Sequence, residues 1–342
     1  MTSLGGCCYH CSYLISTYCE NPKVTITEER DADIVEFPAL TICNLNVIKK
    51  EYANSYFELA STKRRRKGNS SNPVPLNVNS TVCFYSEEEL LRDSAIDLSD
   101  AWLNLGVTKD NLSKYGHKAQ DLIVQCTYNS KECGNGSTFG ISVTNVTSPT
   151  FGLCHTVNVR NKTKDRPASV RKGGTIYGIR LTLNIERDEY WDLISAEYGV
   201  RLMVHPQGTY PTLQRGGIIV DPGRSVHIGV RRRVSKLLPG REGSCTDTFA
   251  DSRVIRLLRK QDLDFELSHL KYTYEHCNTL CQNSLLFEHC GCLDEQPKVG
   301  PTIVKWRFCN PCNKTEGKTI NSYLFLISLP LLLVFRVVFL SC

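Results

Sequence analysis

The sequence predicts an α+β, disulfide-rich extracellular domain. Its core is an antiparallel β-sheet with helical inserts, and its two ends are membrane-associated. Three observations carry this. Seventeen of 342 residues are cysteine, a density that means disulfides outside the cell or metal sites inside it. Asn-x-Ser/Thr sequons begin at Asn69, Asn79, Asn111, Asn135, Asn145, Asn161 and Asn313. Chance would supply about three, so the excess favours a glycosylated ectodomain. Finally, three segments between residues 176 and 234 alternate apolar and polar residues, the pattern of an antiparallel sheet with one wetter face.

Composition narrows the class further. Apolar residues make up 41% and charged residues 22%, which fits a folded chain and excludes disorder, collagen and coiled coil. The formal charge is +6, from 41 basic and 35 acidic residues. Eight of the basic residues sit in two runs, 63–67 and 231–233; without them the balance is 33 − 35 = −2. No basic face spreads over the chain, so no nucleic-acid partner is expected.

Residues 1–19 contain no Asp, Glu, Lys or Arg but include Leu14, Ile15 and three Tyr. That stretch is too short and polar to span a bilayer alone, and it lacks the basic start of a signal peptide. It looks membrane-associated but incomplete. Residues 20–60 begin extended, around Val24 to Thr27 and again over residues 37–44. Residues 61–80 are a polar surface linker rich in basic, Asn, Ser and Pro residues. Its run Lys63-Arg64-Arg65-Arg66-Lys67 is a processing site or a solvated loop.

Residues 86–125 read as helices. Ser86 and Glu89 have capping-box spacing ahead of Leu90 and Leu91, and residues 112–124 form a second helical stretch. Residues 126–175, rich in Gly, Asn, Thr and Ser, read as loops and short strands. Three strands follow. Ile179, Leu181, Leu183 and Ile185 face one side of the first, Val200, Leu202 and Val204 one side of the second, and Val226, Ile228 and Val230 one side of the third. Asp221-Pro222-Gly223 turns between two of them, and Arg231 to Arg233 guard a strand edge. Seven cysteines lie between residues 245 and 312 on helical and irregular segments. The tail, residues 316–342, holds an apolar run from Tyr323 to Phe335, broken by Pro330 and followed by Arg336. It nearly spans a bilayer if the guanidinium snorkels. A weak span, a lipid-anchor signal and a mistranslated tail stay open.

No catalytic constellation is present. There is neither a Gly-x-Ser-x-Gly elbow nor a His-Glu-x-x-His pair. Gly317-Lys318-Thr319 ends like a phosphate loop, but Cys312 stands where its first glycine is required. Cys277, Cys281, Cys290, Cys292, Cys309 and Cys312, near His276 and His289, have spacings that allow zinc; beside so many sequons, disulfides are the expected use. No enzyme, cofactor or metal is expected.

The octapeptide Phe37-Pro38-Ala39-Leu40-Thr41-Ile42-Cys43-Asn44 resembles the signature of the degenerin, epithelial sodium channel and acid-sensing ion channel family. The resemblance continues in order. Tyr115-Gly116-His117, Asp121-Leu122-Ile123, Cys126-Thr127-Tyr128 and Cys133 look like its finger helix and small disulfide loop. Gly152 to Asn158 looks like its Gly-x-Cys-Tyr-Thr-Phe-Asn motif. Gly178 to Ile185, Asp188-Glu189-Tyr190, Gly199 to Pro206 and Val220 to Gly223 look like its palm strands. Cys245, Cys277, Cys281, Cys290 and Cys292 follow the thumb spacing, and Pro311-Cys312-Asn313 its end.

The resemblance implies a trimer whose subunits carry two membrane helices and a palm, β-ball, finger, knuckle and thumb. Residues 1–19 would be the partial first membrane segment, 20–60 the first palm strands and 61–175 the finger and β-ball. Residues 176–240 would be further palm strands, 241–315 the Cys-rich thumb and 316–342 a candidate membrane segment. It implies the disulfides Cys43–Cys154, Cys126–Cys133 and Cys245–Cys312. Cys277–Cys309 is the fourth expected bridge, and Cys83, Cys281, Cys290 and Cys292 stay unassigned. Asp188 and Glu189 match acids of the family's proton-sensing pocket, where crowded carboxylates take up protons; a solvated acidic turn is the alternative. The family's Gly-x-Ser selectivity filter has no counterpart after Asn313, and its His-Gly motif is missing near the start.

The expected function is therefore a subunit of a homo- or heterotrimeric, amiloride-sensitive sodium channel. It would sit in the plasma membrane with most of the chain extracellular, passing sodium ions and opened by a proton or peptide ligand. The alternative is a pore-less ectodomain, secreted or tail-anchored, that binds a ligand or modulates full-length subunits.

Overall fold

The computed structural model describes residues 2–20, 25–29, 34–52, 109–133, 139–148, 150–161, 166–191, 195, 197–213, 216–235, 246, 248–250, 252–260, 267, 270–291 and 293. The chain divides into two compact units, residues 1–34 with 230–246 and residues 35–229 with 247–342.

The first unit holds helix α1, Thr2–Glu20. Its 19 residues rise about 28 Å at 1.5 Å each. Tyr9, Tyr13, Leu14, Ile15 and Tyr18 are all more than half exposed on it, and Cys7, Cys8, Cys11 and Cys19 are exposed free thiols. No helix among the described residues is long and apolar enough to cross a membrane. In the same unit Arg231 pairs with Glu29, both largely exposed.

The second unit is built on antiparallel sheets. Its described strands are β1 (Val35–Glu36), β2 (Ala39–Asn44), β3 (Ile123–Tyr128), β4 (Lys131–Glu132), β5 (Phe139–Ser148), β6 (Gly152–Asn161), β7 (Arg166–Pro167), β8 (Ser169–Val170), β9 (Ile179–Leu183), β10 (Val200–His205) and β11 (Ile218–Val220). The main sheet runs β11-β10-β2-β6-β5, with β7 beside β6; β4-β3-β9 form a second sheet and β1-β8 a two-stranded ribbon. Its described helices are α2 (Lys109–Tyr115), α3 (Ala119–Leu122), α4 (Arg253–Lys260) and α5 (Tyr274–Cys290).

The signature segment is the buried middle of the main sheet. All six residues of β2 are buried, because β10 and β6 flank it on both edges. Its apolar, partly β-branched run Ala-Leu-Thr-Ile-Cys suits a strand covered on both faces. Leu40 and Ile42 share a core with Leu122, Val157 and Val200. Cys43 lies opposite Cys154 in the ladder, and their sulfurs are bonded across a sequence separation of 111. Cys126 and Cys133 close the small loop of β3 and β4.

Several expectations are corrected here. The helix expected over residues 112–124 is two short helices followed by a strand. α2 stops at Gly116, whose backbone lies so near β6 that a Cβ there would sit 2.6 Å from the Cβ of Leu153. From Ile123 the chain pairs with β9; β-branched Ile123 and Val124 favour this, and tertiary pairing overrides the helical spacing. Residues 126–175, expected as loops and short strands, contain the hairpin β5–β6, ten residues in each strand. Its turn uses Gly152 at φ +71°, packed on the Val47 carbonyl, and Ser148 Oγ accepts from the amides of Thr150 and Phe151.

The three alternating segments do not make one sheet. Residues 179–183 join β3, residues 200–205 join β2, and residues 226–231 form no strand. The third therefore has no ladder edge for Arg231 to Arg233 to guard, and Val226 and Ile228 are exposed. The expected Cys277–Cys309 bridge is also corrected. Cys277 is a buried free thiol, turned into a core with Phe249, Leu258 and Leu280; Cys281, one helical turn on, is the residue held in a disulfide. Cys83, Cys245, Cys292, Cys309 and Cys312, the sequons at Asn69, Asn79, Asn135 and Asn313, and the tail lie outside the described residues.

α5 shows why this region is helical. The Thr273 side chain accepts from the His276 amide at its start, and Gly291, left-handed at φ 64°, closes its end by donating to the Phe287 carbonyl. These are the standard cap chemistries of a helix.

Candidate functional site

The sequence-predicted acids sit in a short 3-10 turn, Arg187–Glu189, after β9. Asp188 is exposed and Glu189 half-buried. The carboxylate that the fold engages here is instead that of Glu186, half-buried just before the turn, which sequence reasoning missed. Its backbone is left-handed, φ 51°, a conformation costing a non-glycine residue of order 1 kcal/mol. Its amide is held by the Asn184 side chain at 3.1 Å.

Glu186 belongs to a buried polar chain that ties β2 to the turn. Lys49 Nζ donates to Glu186 Oε1 at 2.7 Å. His117 Nδ1 donates to Oε2 at 2.6 Å, and Asn46 Nδ2 donates to His117 Nε2 at 3.0 Å and to the Glu189 carbonyl at 2.8 Å. Asn46 Oδ1 accepts from Ser195 Oγ at 2.7 Å and from the Trp191 amide at 3.3 Å. The Asn46 amide reaches Asn44 Oδ1, which also accepts from Tyr190 Oη at 2.6 Å. Asn44 and Asn46 are 2% and 1% exposed. The signal in the sequence is two asparagines spaced by two at the end of an apolar strand, where only satisfied polar groups are tolerated.

The protonation pattern follows from burial. Burial lowers the His117 pKa below its ordinary value, and the hydrogen bond and charge of Glu186 do not fully offset this. The ring is therefore neutral at pH 7, and its tautomer is fixed by donation to Glu186 and acceptance from Asn46. Burial alone would raise Glu186, but the hydrogen bonds from Lys49 and His117 outweigh it and leave its pKa lowered. The ion pair here is Lys49–Glu186; His117–Glu186 is a hydrogen bond.

A second buried chain crosses β6, β2 and β10. Thr156 Oγ1 meets Thr41 Oγ1 at 2.8 Å, and Thr41 Oγ1 meets His205 Nε2 at 2.8 Å. Thr209 Oγ1 donates to the Pro206 carbonyl at 2.7 Å, leaving its oxygen to accept from His205 Nδ1 at 3.0 Å. The donors therefore run one way, from Thr156 through Thr41 and the neutral His205 to Thr209. Burial pushes the His205 pKa down to about 4.

Asn46 is the hub of the first chain, and Asn46→Leu is expected to destabilise the protein by about 2 kcal/mol, since Ser195, the Trp191 amide and the Glu189 carbonyl lose a partner together. Urea unfolding measures it, and a change below about 0.5 kcal/mol, within the range of a neutral surface substitution, would sink the hub assignment.

The fold is thus an antiparallel, disulfide-braced α/β domain whose signature strand is locked to two polar chains. The family described as amiloride-sensitive sodium channel matches residues 1–325. Acid-sensing ion channel 1C of Danio rerio is 26% identical over 301 residues, covering 85% of this chain and 52% of that protein. Acid-sensing ion channel 1 of Gallus gallus is 26% identical over 308 residues, with 85% and 52% covered. The FMRFamide-activated amiloride-sensitive sodium channel of Cornu aspersum is 24% identical over 326 residues, with 89% and 45% covered. The chain spans about half the length of these curated relatives. It belongs to the amiloride-sensitive sodium channel family, a family of ion channels and not of enzymes.

Proposed function

We propose that the chain is a subunit of a trimeric, amiloride-sensitive sodium channel in the plasma membrane, with most of its residues extracellular and its opening controlled by a proton or a peptide. The observation that carries this best is the family match across residues 1–325, with the signature strand Ala39–Asn44 buried at the centre of the main sheet. Relatives named for acid sensing and for FMRFamide activation support the two stimuli.

In this reading β2, β5, β6, β10 and β11 form the palm, which draws residues 139–161 into the palm and out of the 61–175 finger and β-ball range. The sheet β4-β3-β9 and the ribbon β1-β8 belong to the β-ball. Helices α4 and α5 belong to the 241–315 thumb, and α1 to the first membrane segment. Asp188 and Glu189 remain the proposed sensing acids, displayed by the turn that Glu186 anchors.

Whole-cell recording tests the reading. Cells expressing the chain, alone and with a family subunit, are expected to show an amiloride-blocked sodium current evoked by acid or by an FMRFamide-type peptide. Asp188→Asn with Glu189→Gln is expected to move the half-activating ligand concentration about tenfold, the worth of one pKa unit. No current despite surface expression overturns the channel reading. An unchanged dose–response with intact current overturns only the sensing role.

A further inference from the structure

A cleft of about 510 Å³ is lined by Lys118, Gln120 and Ile123 from the stretch of α3 and the start of β3, and by Ile141, Val143, Asn145 and His155 from the β5–β6 hairpin. That volume lies in the range of small-molecule sites, and a lining that mixes the aliphatic Ile123, Ile141 and Val143 with polar side chains suits a sugar bearing an acetamido group. Asn145 begins the sequon Asn145-Val146-Thr147. Its side chain is exposed, and its Nδ2 makes no hydrogen bond among the described residues. The sequon at Asn111 differs, because there the acceptor nitrogen is turned onto Tyr52 Oη and the residue is half-buried.

His155 lies directly across the ladder from Asn145 and is 1% exposed. Its Nε2 faces the His117 carbonyl at 2.8 Å, and its Nδ1 faces Asn145 Oδ1 at 2.9 Å. Both ring nitrogens thus meet oxygen acceptors, whereas a neutral imidazole has one N–H to give. An unmodified asparagine resolves the conflict by turning its amide over, so that Nδ2–H donates to the ring. A glycosylated one cannot, because the sugar on Nδ2 would then be driven against a buried ring. We propose that Asn145 carries an N-linked glycan whose first sugar occupies this cleft, and that the glycan locks the amide with Oδ1 on His155, so that the ring binds a second proton more readily.

Two other influences act on the ring and both disfavour the charged form. Burial is the larger, and the Lys118 ammonium adds to it. The neighbouring His117 presents its carbonyl to His155, while its own ring is turned to Glu186. The carbonyl of His117 and the oxygen of a locked Asn145 are the two acceptors that an imidazolium at 155 would satisfy together.

The test uses the chain secreted or displayed from cells that glycosylate. Peptide mass spectrometry after enzymatic deglycosylation in heavy-oxygen water reads occupancy at Asn145, and an empty site overturns the proposal. The proton affinity of His155 is then read by NMR of protein labelled at histidine Cε1, with the signal assigned by His155→Asn. Thr147→Val removes the sequon and keeps Asn145. The glycosylated protein is expected to protonate His155 about tenfold more tightly than Thr147→Val, one pKa unit. Trimming the glycan to its first sugar is expected to leave that difference in place. Equal affinities with and without the glycan, or loss of the difference on trimming, overturn the amide lock. If Thr147→Val does not fold, wild-type molecules with and without the Asn145 glycan, separated on a lectin column, give the same comparison.

Discussion

Replacing Cys43 and Cys154 together by Ala is expected to lower the stability of the second unit by about 4.7 kcal/mol, the chain-entropy value for a loop of roughly 100 residues. The bridge closes a separation of 111, and its two residues are wholly buried beside Leu213. Alanine is chosen because serine would add buried hydroxyls with their own desolvation cost. The corresponding change at Cys126 and Cys133, separated by seven residues, is expected to cost about 2.5 kcal/mol in the same treatment. Domains of this kind hold only about 5–15 kcal/mol in total. The first variant should therefore fail to accumulate at the cell surface at 37 °C, whereas the second accumulates at a reduced level. Urea unfolding and surface biotinylation measure both. Equal losses for the two pairs would show that loop length is not what the 43–154 bridge works through.

The contrast between these bridges also shows what the sequence made legible. Residues 37–44 could be placed because a mostly apolar run, with one proline, one threonine and one asparagine, coincides with a family signature. The hairpin of β5 and β6 was hidden by its own composition. Its Thr, Ser and Asn residues read as loop, yet in the sheet several of them are paired or buried, as Thr156 on Thr41 and His155 on Asn145 show. Glu186 was hidden for a different reason. Its inward placement depends on a left-handed backbone and on Lys49 and His117 arriving from 137 and 69 residues away, and no local spacing encodes such a meeting. Cys277 and Cys281 differ by one helical turn, so spacing alone could not say which one is bonded.

His276 gives the second large expected effect. The ring is completely buried, stacked on Tyr210 at 4.7 Å and edge-on to Phe249 at 5.2 Å, and neither ring nitrogen has a hydrogen-bond partner among the described residues. Each such orphan costs of order 1–3 kcal/mol. Burial pushes its pKa down to about 4 from the ordinary 6.5. The folded protein therefore keeps this ring neutral while the unfolded chain protonates it first. Stability from this residue is fully present above pH 6.5 and is lost as the pH falls toward 4, by about 3 kcal/mol in all. His276→Phe preserves both ring contacts and removes the orphans and the titration together. It is expected to stabilise the protein by about 1–2 kcal/mol at pH 7, with the advantage growing by about 3 kcal/mol at pH 4. Urea unfolding at the two pH values measures this, and a gain that does not grow on acidification would refute the assignment. The same sign holds for His205 and, in direction, for His117, His155 and the carboxylate of Glu186. Every one of these groups makes acid destabilising to the sheet and its helices. An acid-evoked current would therefore have to arise above the pH at which these buried rings charge. His276→Phe separates the two effects, because it widens the acid range of the fold without touching Asp188, Glu189 or either polar chain on the signature strand.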